Sequence, residues 1–504
     1  MSNDRRTGLI GNAHVKRRPP AADATIAAVV VFAAGVDRIS QHASESTVAP
    51  LDPPPLCAAC SGPWTWRRVG ELARLFGPAA MVASVSIGAG ETIIVVRTGA
   101  WFRYDLLWLV LLAVLAKGVC VTYLLGRYTA ITGEPLNQRL VRLPGPRGWL
   151  PLSITFLELA AAGPLWAAIA RPCGELLAYL FLPGEAATIW APWLGMGFVV
   201  VAVAVGWGLS FERLERQQVA ICSLLVVGTA VGVLMVRPDA GAMLRGFLSF
   251  GYIPEFPDWA PEAARAAPRL TLATTFGYVG GTVLGYVVYA NWISMHGWGM
   301  TGHPRHAELV RRAAAGHPRD YLPDDRSRTE AILASIAPLK WDVGFGAVVL
   351  LLVTTAFLAA GAAVLAPRLE SGELEGAFAG WSLLTDQASI WHNIHPQLVW
   401  VYYACVLLGL WGTLQAFPEI YSRVTVDVLR AWRPERAWSR GVIHGVLCLY
   451  VVASAGAVLA SGKGFDSLTH VVAFLTTNLA VTFAMVAALL LNFQLPRPYR
   501  TRRW

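Results

Sequence analysis

The sequence predicts an all-α polytopic membrane protein of about ten transmembrane helices, arranged as two five-span halves of opposite topology. Three observations carry that expectation. Of 504 residues, 55% are hydrophobic and only 14% charged, with a mean hydropathy of +0.50, far more apolar than a soluble chain of this length. Ten apolar stretches are near the roughly 20 residues needed to cross a bilayer, or longer. The first stretch of each half is interrupted by glycines and polar residues, and matched interruptions in inverted halves point to a transporter's midplane site. The lipid bilayer is thus the expected partner. Despite the net charge of +9, no basic, aromatic-interleaved domain stands apart from the apolar stretches, so nucleic acid is not. No constellation of catalytic spacing lies outside the membrane, so an enzyme is not expected either.

Residues 1–65 are rich in Arg, Ala, Pro and Ser, and their one apolar stretch, 26–36, is too short to span. A disordered cytoplasmic arm is expected there. A signal peptide fits less well, because nothing downstream looks like a secreted domain. Cys57 and Cys60 have metal or redox spacing, but one such pair supplies only two ligands and its role stays open. Trp64 to Arg68 reads as an interfacial anchor opening a transporter domain over 66–496. Its spans are expected at about 76–98, 104–130, 152–180, 192–210, 217–236, 271–296, 342–366, 397–419, 441–460 and 467–492. Repeat one covers about 70–236 and repeat two about 271–492. Arginines crowd alternate loops, among them Arg139, Arg142 and Arg147, then Arg305 to Arg328, then Arg430 to Arg440. That bias places both termini in the cytoplasm, with 497–504 as a basic tail, in the plasma (inner) membrane.

The interruption of span one is Gly88-Ala89-Gly90-Glu91. A carboxylate at membrane depth costs roughly 2.5 to 3.5 kcal/mol or more. Broken backbone is tolerated there only where protein or a watery cavity receives the freed groups. Span six carries Gly277, Gly280, Gly281, Gly285 and then Tyr286 to Asn291, with His296 at its end. Taken singly, such glycines serve helix packing; as a matched pair they favour a site. Lys117 lies halfway along span two and Glu158 in span three. Intramembrane charges usually face the bundle interior and pair, and by depth Lys117 reaches either Glu91 or Glu158.

Further residues are distributed in a recognisable order. Gly77-Pro78 opens span one, Trp101 to Trp108 leads into span two, and Gly126-Arg127 to Ile131-Thr132-Gly133 leaves it. Asn291 and His296 close span six, Asp342 opens span seven, Leu383-Leu384 precedes span eight, and Tyr421-Ser422-Arg423 through Arg430 to Trp438-Ser439-Arg440 follows it. This pattern, over about 70–500, resembles the Nramp family of divalent metal ion transporters. The resemblance implies a LeuT-like 5+5 inverted repeat with spans one and six unwound, a secondary transporter working by alternating access. The site motifs diverge from the family. Its Asp-Pro-Gly-Asn falls on Gly88-Ala89-Gly90-Glu91, and its Met-Pro-His on Tyr289-Ala290-Asn291. The carbonyls that face the ion carry over to Val85 and Tyr286, and the closing polar residue of span ten to Asn478. An interhelical hydrogen bond is an equal reading of Asn478.

The implied metal ligands are therefore Glu91, Asn291 and Asn478. An oxygen-rich set without the methionine suits Mn²⁺ or Mg²⁺ better than softer metals. The family's acidic proton positions become Pro164 and Ala167, so coupling to protons, as in a symporter, stays open. Lys117, Glu158 and His296 are the candidate coupling or charge network. No cofactor is expected beyond the transported cation. Two other readings compete: a small organic solute carried by the same fold, and a non-transporting sensor, although neither arm nor tail looks like a signalling domain. A Lys117–Glu91 pair would strip a divalent cation of its one charged ligand, so that contact separates the readings.

Overall fold

The computed structural model describes residues 49–501, apart from 61, 62, 64, 74, 87, 89 and 374–382. Most of the expected arm, residues 1–48, lies outside them. The described chain is helical, with no strand. Among the described residues nine helices are long and apolar enough to cross a bilayer, and the bent pair Pro78–Ser86 with Gly90–Phe102, taken as one span, makes ten. The others follow the expected order: Leu107–Thr132, Trp149–Phe181, Gly184–Gly208, Phe211–Val236, Pro268–His296, span seven within Arg326–Glu370, then Leu398–Trp432, Arg440–Ala460 and Phe465–Gln494.

Spans one and six are the broken ones. The first half of span one, Pro78–Ser86, is buried along its whole length. After Gly88 the chain resumes as a π-helical turn, Gly90–Val95, before returning to α-helix. Span six divides into Pro268–Tyr278 and Val283–His296. Its break therefore falls at 279–282, earlier than the Tyr286–Asn291 stretch where the family motif placed it. The physical reason is local. Gly280 adopts φ +89°, a left-handed conformation that glycine takes without steric cost. Tyr286 to Asn291, by contrast, continue a regular helix. Spans two, seven and ten each carry a π-helical stretch as well, at Val114–Val121, Gly361–Leu365 and Ala473–Ala480, a form that recurs at functional sites.

The first half of span one packs among spans five, seven and eight and against the second half of span six. Asp342 of span seven pins two of these elements. Its carboxylate accepts the backbone N–H of Gly77 at 3.1 Å and of Ala79 at 2.9 Å, donors that a helix start leaves unpaired, and the Tyr289 hydroxyl at 2.8 Å.

The ends of the transporter domain are less simple than an arm and a tail. Leu51 is buried and its N–H donates to the Tyr321 carbonyl at 2.9 Å. Tyr499 is fully buried, its hydroxyl on the Pro323 carbonyl at 2.8 Å. Both segments thus pack on the loop between spans six and seven, where an aromatic or leucine within polar surroundings finds cover.

Candidate functional site

The two breaks meet backbone to backbone. A Cβ on Gly90 would lie 2.5 Å from the Tyr278 carbonyl oxygen, so only glycine allows this approach. The following residue, Glu91, is fully buried. Its Oε1 accepts the Gly280 N–H at 3.2 Å, while Oε2 has no partner among the described residues. Glu91 stands in the first turn of the second half of span one, where the helix dipole favours an anion. On the same segment of span six, Lys117 Nζ donates to the carbonyls of Phe276 at 2.6 Å and Gly277 at 2.7 Å. Glu91 and Lys117 therefore spend their bonds on opposite ends of one short stretch, 276–280, and not on each other. Glu158 reaches the same break from span three. It accepts a hydrogen bond from the Thr476 hydroxyl of span ten and faces Thr282, and its Oε1 has no partner among the described residues.

Between the breaks lies a cavity of about 30 Å³, room for about two waters. Its lining is mostly apolar, with Leu165, Ile169, Phe417 and Val472, and includes Gly88, Gly90, Gly280 and Gly281 and the hydroxyl-bearing Ser86, Thr282, Thr413 and Thr477. Three of the hydroxyls have committed their protons. Ser86 donates to the Val82 carbonyl at 2.6 Å, Thr413 to Val85 and Gly409 at 3.2 Å each, and Thr477 to Ala473 at 3.1 Å. What each still offers is oxygen lone pairs, the acceptors that a cation or a water needs. Glu91 is not itself in the wall; its neighbour Gly90 and its partner Gly280 are.

The structure brings some of the expected residues together and separates others. Val85, Gly88 and Gly90 line the cavity, and Glu91, Lys117 and Glu158 all reach the second break. Ala89 lies outside the described residues. Tyr286 arrives by its hydroxyl, 2.7 Å from where a Gly280 Cβ would sit, because its own carbonyl is inside a helix.

Tyr289 turns away to Asp342. Asn291 is nine residues past Thr282, about 13 Å along the helix, and donates to Asp427 Oδ2 at 2.5 Å. As ligands at the breaks, these two are corrected by the position of the break itself. Asn478 donates to the Ala273 carbonyl at 3.0 Å, the interhelical bond of its alternative reading. His296 is bonded to Glu215 at 3.0 Å, at the far end of span six, away from Lys117 and Glu158. The hydroxyls of Thr282, Thr413 and Thr477 were not anticipated. A threonine in an apolar span is a weak signal, since it usually bonds its own helix.

A family model described as Natural resistance-associated macrophage protein-like, Nramp, matches residues 79–389. Over 226 residues the chain is 26% identical to the divalent metal cation transporter MntH of Chromohalobacter salexigens, covering 45% of this chain and 46% of that protein. With the MntH of Levilactobacillus brevis, where 42% of the relative is covered, the chain spans about half the length of the curated relatives it matches or somewhat less. A stretch of 91 residues, 18% of this chain, is 33% identical to the fluoride-specific ion channel FluC of Stutzerimonas stutzeri and covers 73% of it. A crystal structure of a mutant Eremococcus coleocola manganese transporter superimposes with a TM-score of 0.59 at 14% identity, over 91% of this chain and 86% of that one. That likeness establishes the fold, and the model match extends over more than half of the sequence. With two broken spans meeting at a buried carboxylate, the chain belongs to the Nramp family.

Proposed function

We propose that this protein moves a divalent cation across the plasma membrane by alternating access around the two breaks, with Glu91 as the charged ligand. The observation that carries the reading is Glu91 itself: a fully buried carboxylate, one oxygen of which has no partner among the described residues, beside a small cavity bordered by Ser86, Thr282, Thr413 and Thr477. Burying a charge without full pairing is costly, and a cation arriving at the break would offset that cost. The surrounding donors are carboxylate, carbonyl and hydroxyl oxygens, a set for hard ions such as Mn²⁺ or Mg²⁺. The Eremococcus protein of the same fold is named a manganese transporter, which fits. Both termini lie on the cytoplasmic side in this reading, and Glu158, with a free oxygen beside Thr282, is the acid best placed to carry a coupled proton. A cavity for about two waters leaves an organic solute without room in this conformation.

The test is uptake into proteoliposomes. Glu91→Gln should abolish saturable Mn²⁺ uptake while the purified variant still gives a cooperative thermal transition. Undiminished uptake would sink the proposal. A thermal-shift panel of Mn²⁺, Mg²⁺ and amino acids adds an independent readout, in which stabilisation by amino acids alone would favour the organic cargo.

A further inference from the structure

One occupied site at the second break is not used by the cation reading. A helix leaves its last carbonyls unpaired and carries partial negative charge at that end, and half-helix ends in broken spans are places where free monovalent cations bind. The first half of span six ends at Tyr278. Its Thr275 carbonyl is taken by the Val279 N–H at 3.1 Å and its Ala273 carbonyl by Asn478. The next two in line, Phe276 and Gly277, both receive the ammonium of Lys117. That ammonium also lies 5.0 Å from the centre of the Phe276 ring, a position that favours a cation. Lys117 is 1% exposed and comes from a π-helical stretch of a different span, so it is delivered to the break through the core.

We propose that the Lys117 ammonium is a resident cation, standing where a free Na⁺ or K⁺ would otherwise bind the carbonyl end of the broken sixth span. The protein then needs no free monovalent ion at that position, and the carbonyl end of the first half of span six stays compensated whether or not cargo is present. The inference rests on the transport reading only for its consequence on uptake.

The deciding measurement therefore omits divalent metal. Wild type and Lys117→Ala are purified in choline chloride, and melting temperatures are recorded after exchange into choline, Na⁺ or methylammonium. Lys117→Ala should be stabilised saturably by Na⁺ or methylammonium, by about 3 °C or more, and wild type by neither. An equal melting temperature of the variant in all three media, or an equal response of wild type, overturns the proposal. If the variant cannot be recovered folded in choline, purification in Na⁺ or methylammonium decides: recovery supports the resident cation, and failure in all three media overturns it. In proteoliposomes, wild-type Mn²⁺ uptake should be indifferent to replacing Na⁺ by choline. Lys117→Ala uptake should fall about tenfold in choline and recover with methylammonium. Absence of Mn²⁺ uptake by wild type itself would overturn the cargo reading and leave the melting result standing.

Discussion

Gly90 leaves no space for a side chain against the Tyr278 carbonyl, and that single contact sets how close the two breaks come. Gly90→Ala should force the segments apart at a cost of about 1 to 3 kcal/mol, read as a lowered melting temperature together with a loss of uptake. Gly70, whose added Cβ would meet nothing within 4 Å, is the matched control and should change neither. At the same scale, Glu91 was legible in the sequence because a lone carboxylate in an apolar run demands an explanation. Asn291 was misplaced for an equally physical reason. The family motif fixes a residue's position by counting along the chain, whereas the break goes to Gly280, the residue that tolerates φ +89°. Lys117 was recognisable as a buried charge, but its partners are backbone carbonyls, which carry no signal in a sequence.

At the scale of elements, Asp342 is the tie between the start of span one and the second half of span six. Asp342→Ala would leave the Gly77 and Ala79 N–H groups and the Tyr289 hydroxyl without an acceptor. Each buried orphan costs about 1 to 3 kcal/mol, so a loss of about 3 kcal/mol or more is expected. Tyr289→Phe removes one donor and keeps the others, and should cost about 1 kcal/mol; denaturation of the two purified variants distinguishes them. The spans themselves were legible from hydropathy, since every expected stretch has its helix. Span eight shows the limit. Its helix runs through Pro418 to Trp432, well beyond the apolar stretch, because Val424, Val428 and Ala431 are buried while Arg423 and Arg430 are offered to polar partners. Hydropathy falls at such an amphipathic extension although the helix does not end.

At the scale of the whole molecule, the loop after span two holds a buried ion pair, and hydrogen bonds around that pair join it to the loop after span six. Glu134, fully buried, takes both Nε and Nη2 of Arg139 at 2.8 and 2.6 Å. Arg139 also donates to the His317 carbonyl, and the Tyr321 hydroxyl to the Thr132 carbonyl at 2.7 Å. Burial alone would raise the Glu134 pKa, but the hydrogen bonds and charge of Arg139, with Arg319, outweigh it and hold the carboxyl below its ordinary 4.5. A depressed pKa contributes stability that is fully present above the unfolded value and is lost as pH falls through the folded one. Stability should therefore hold from neutral pH down to about 4.5 and decline below it, as followed by melting temperature against pH. Glu134→Gln should cost about 3 kcal/mol or more at neutral pH and flatten that acid limb. None of this strap was foreseen, because it depends on which loops meet in space.

The size of the chamber between the breaks also bears on time. A divalent ion travels in bulk water with a full hydration shell, and in the proposed function a space of about 30 Å³ would admit it only after most of that shell had been shed. If the proposed cation binds there, oxygens of Ser86, Thr282, Thr413 and Thr477 would replace some of the lost waters, and the shedding would come first. Magnesium gives up its waters reluctantly, so with equal affinity it would still be the slower passenger. Initial uptake measured side by side at saturating ion should be faster for Mn²⁺ than for Mg²⁺; equal rates would mean that dehydration does not govern entry.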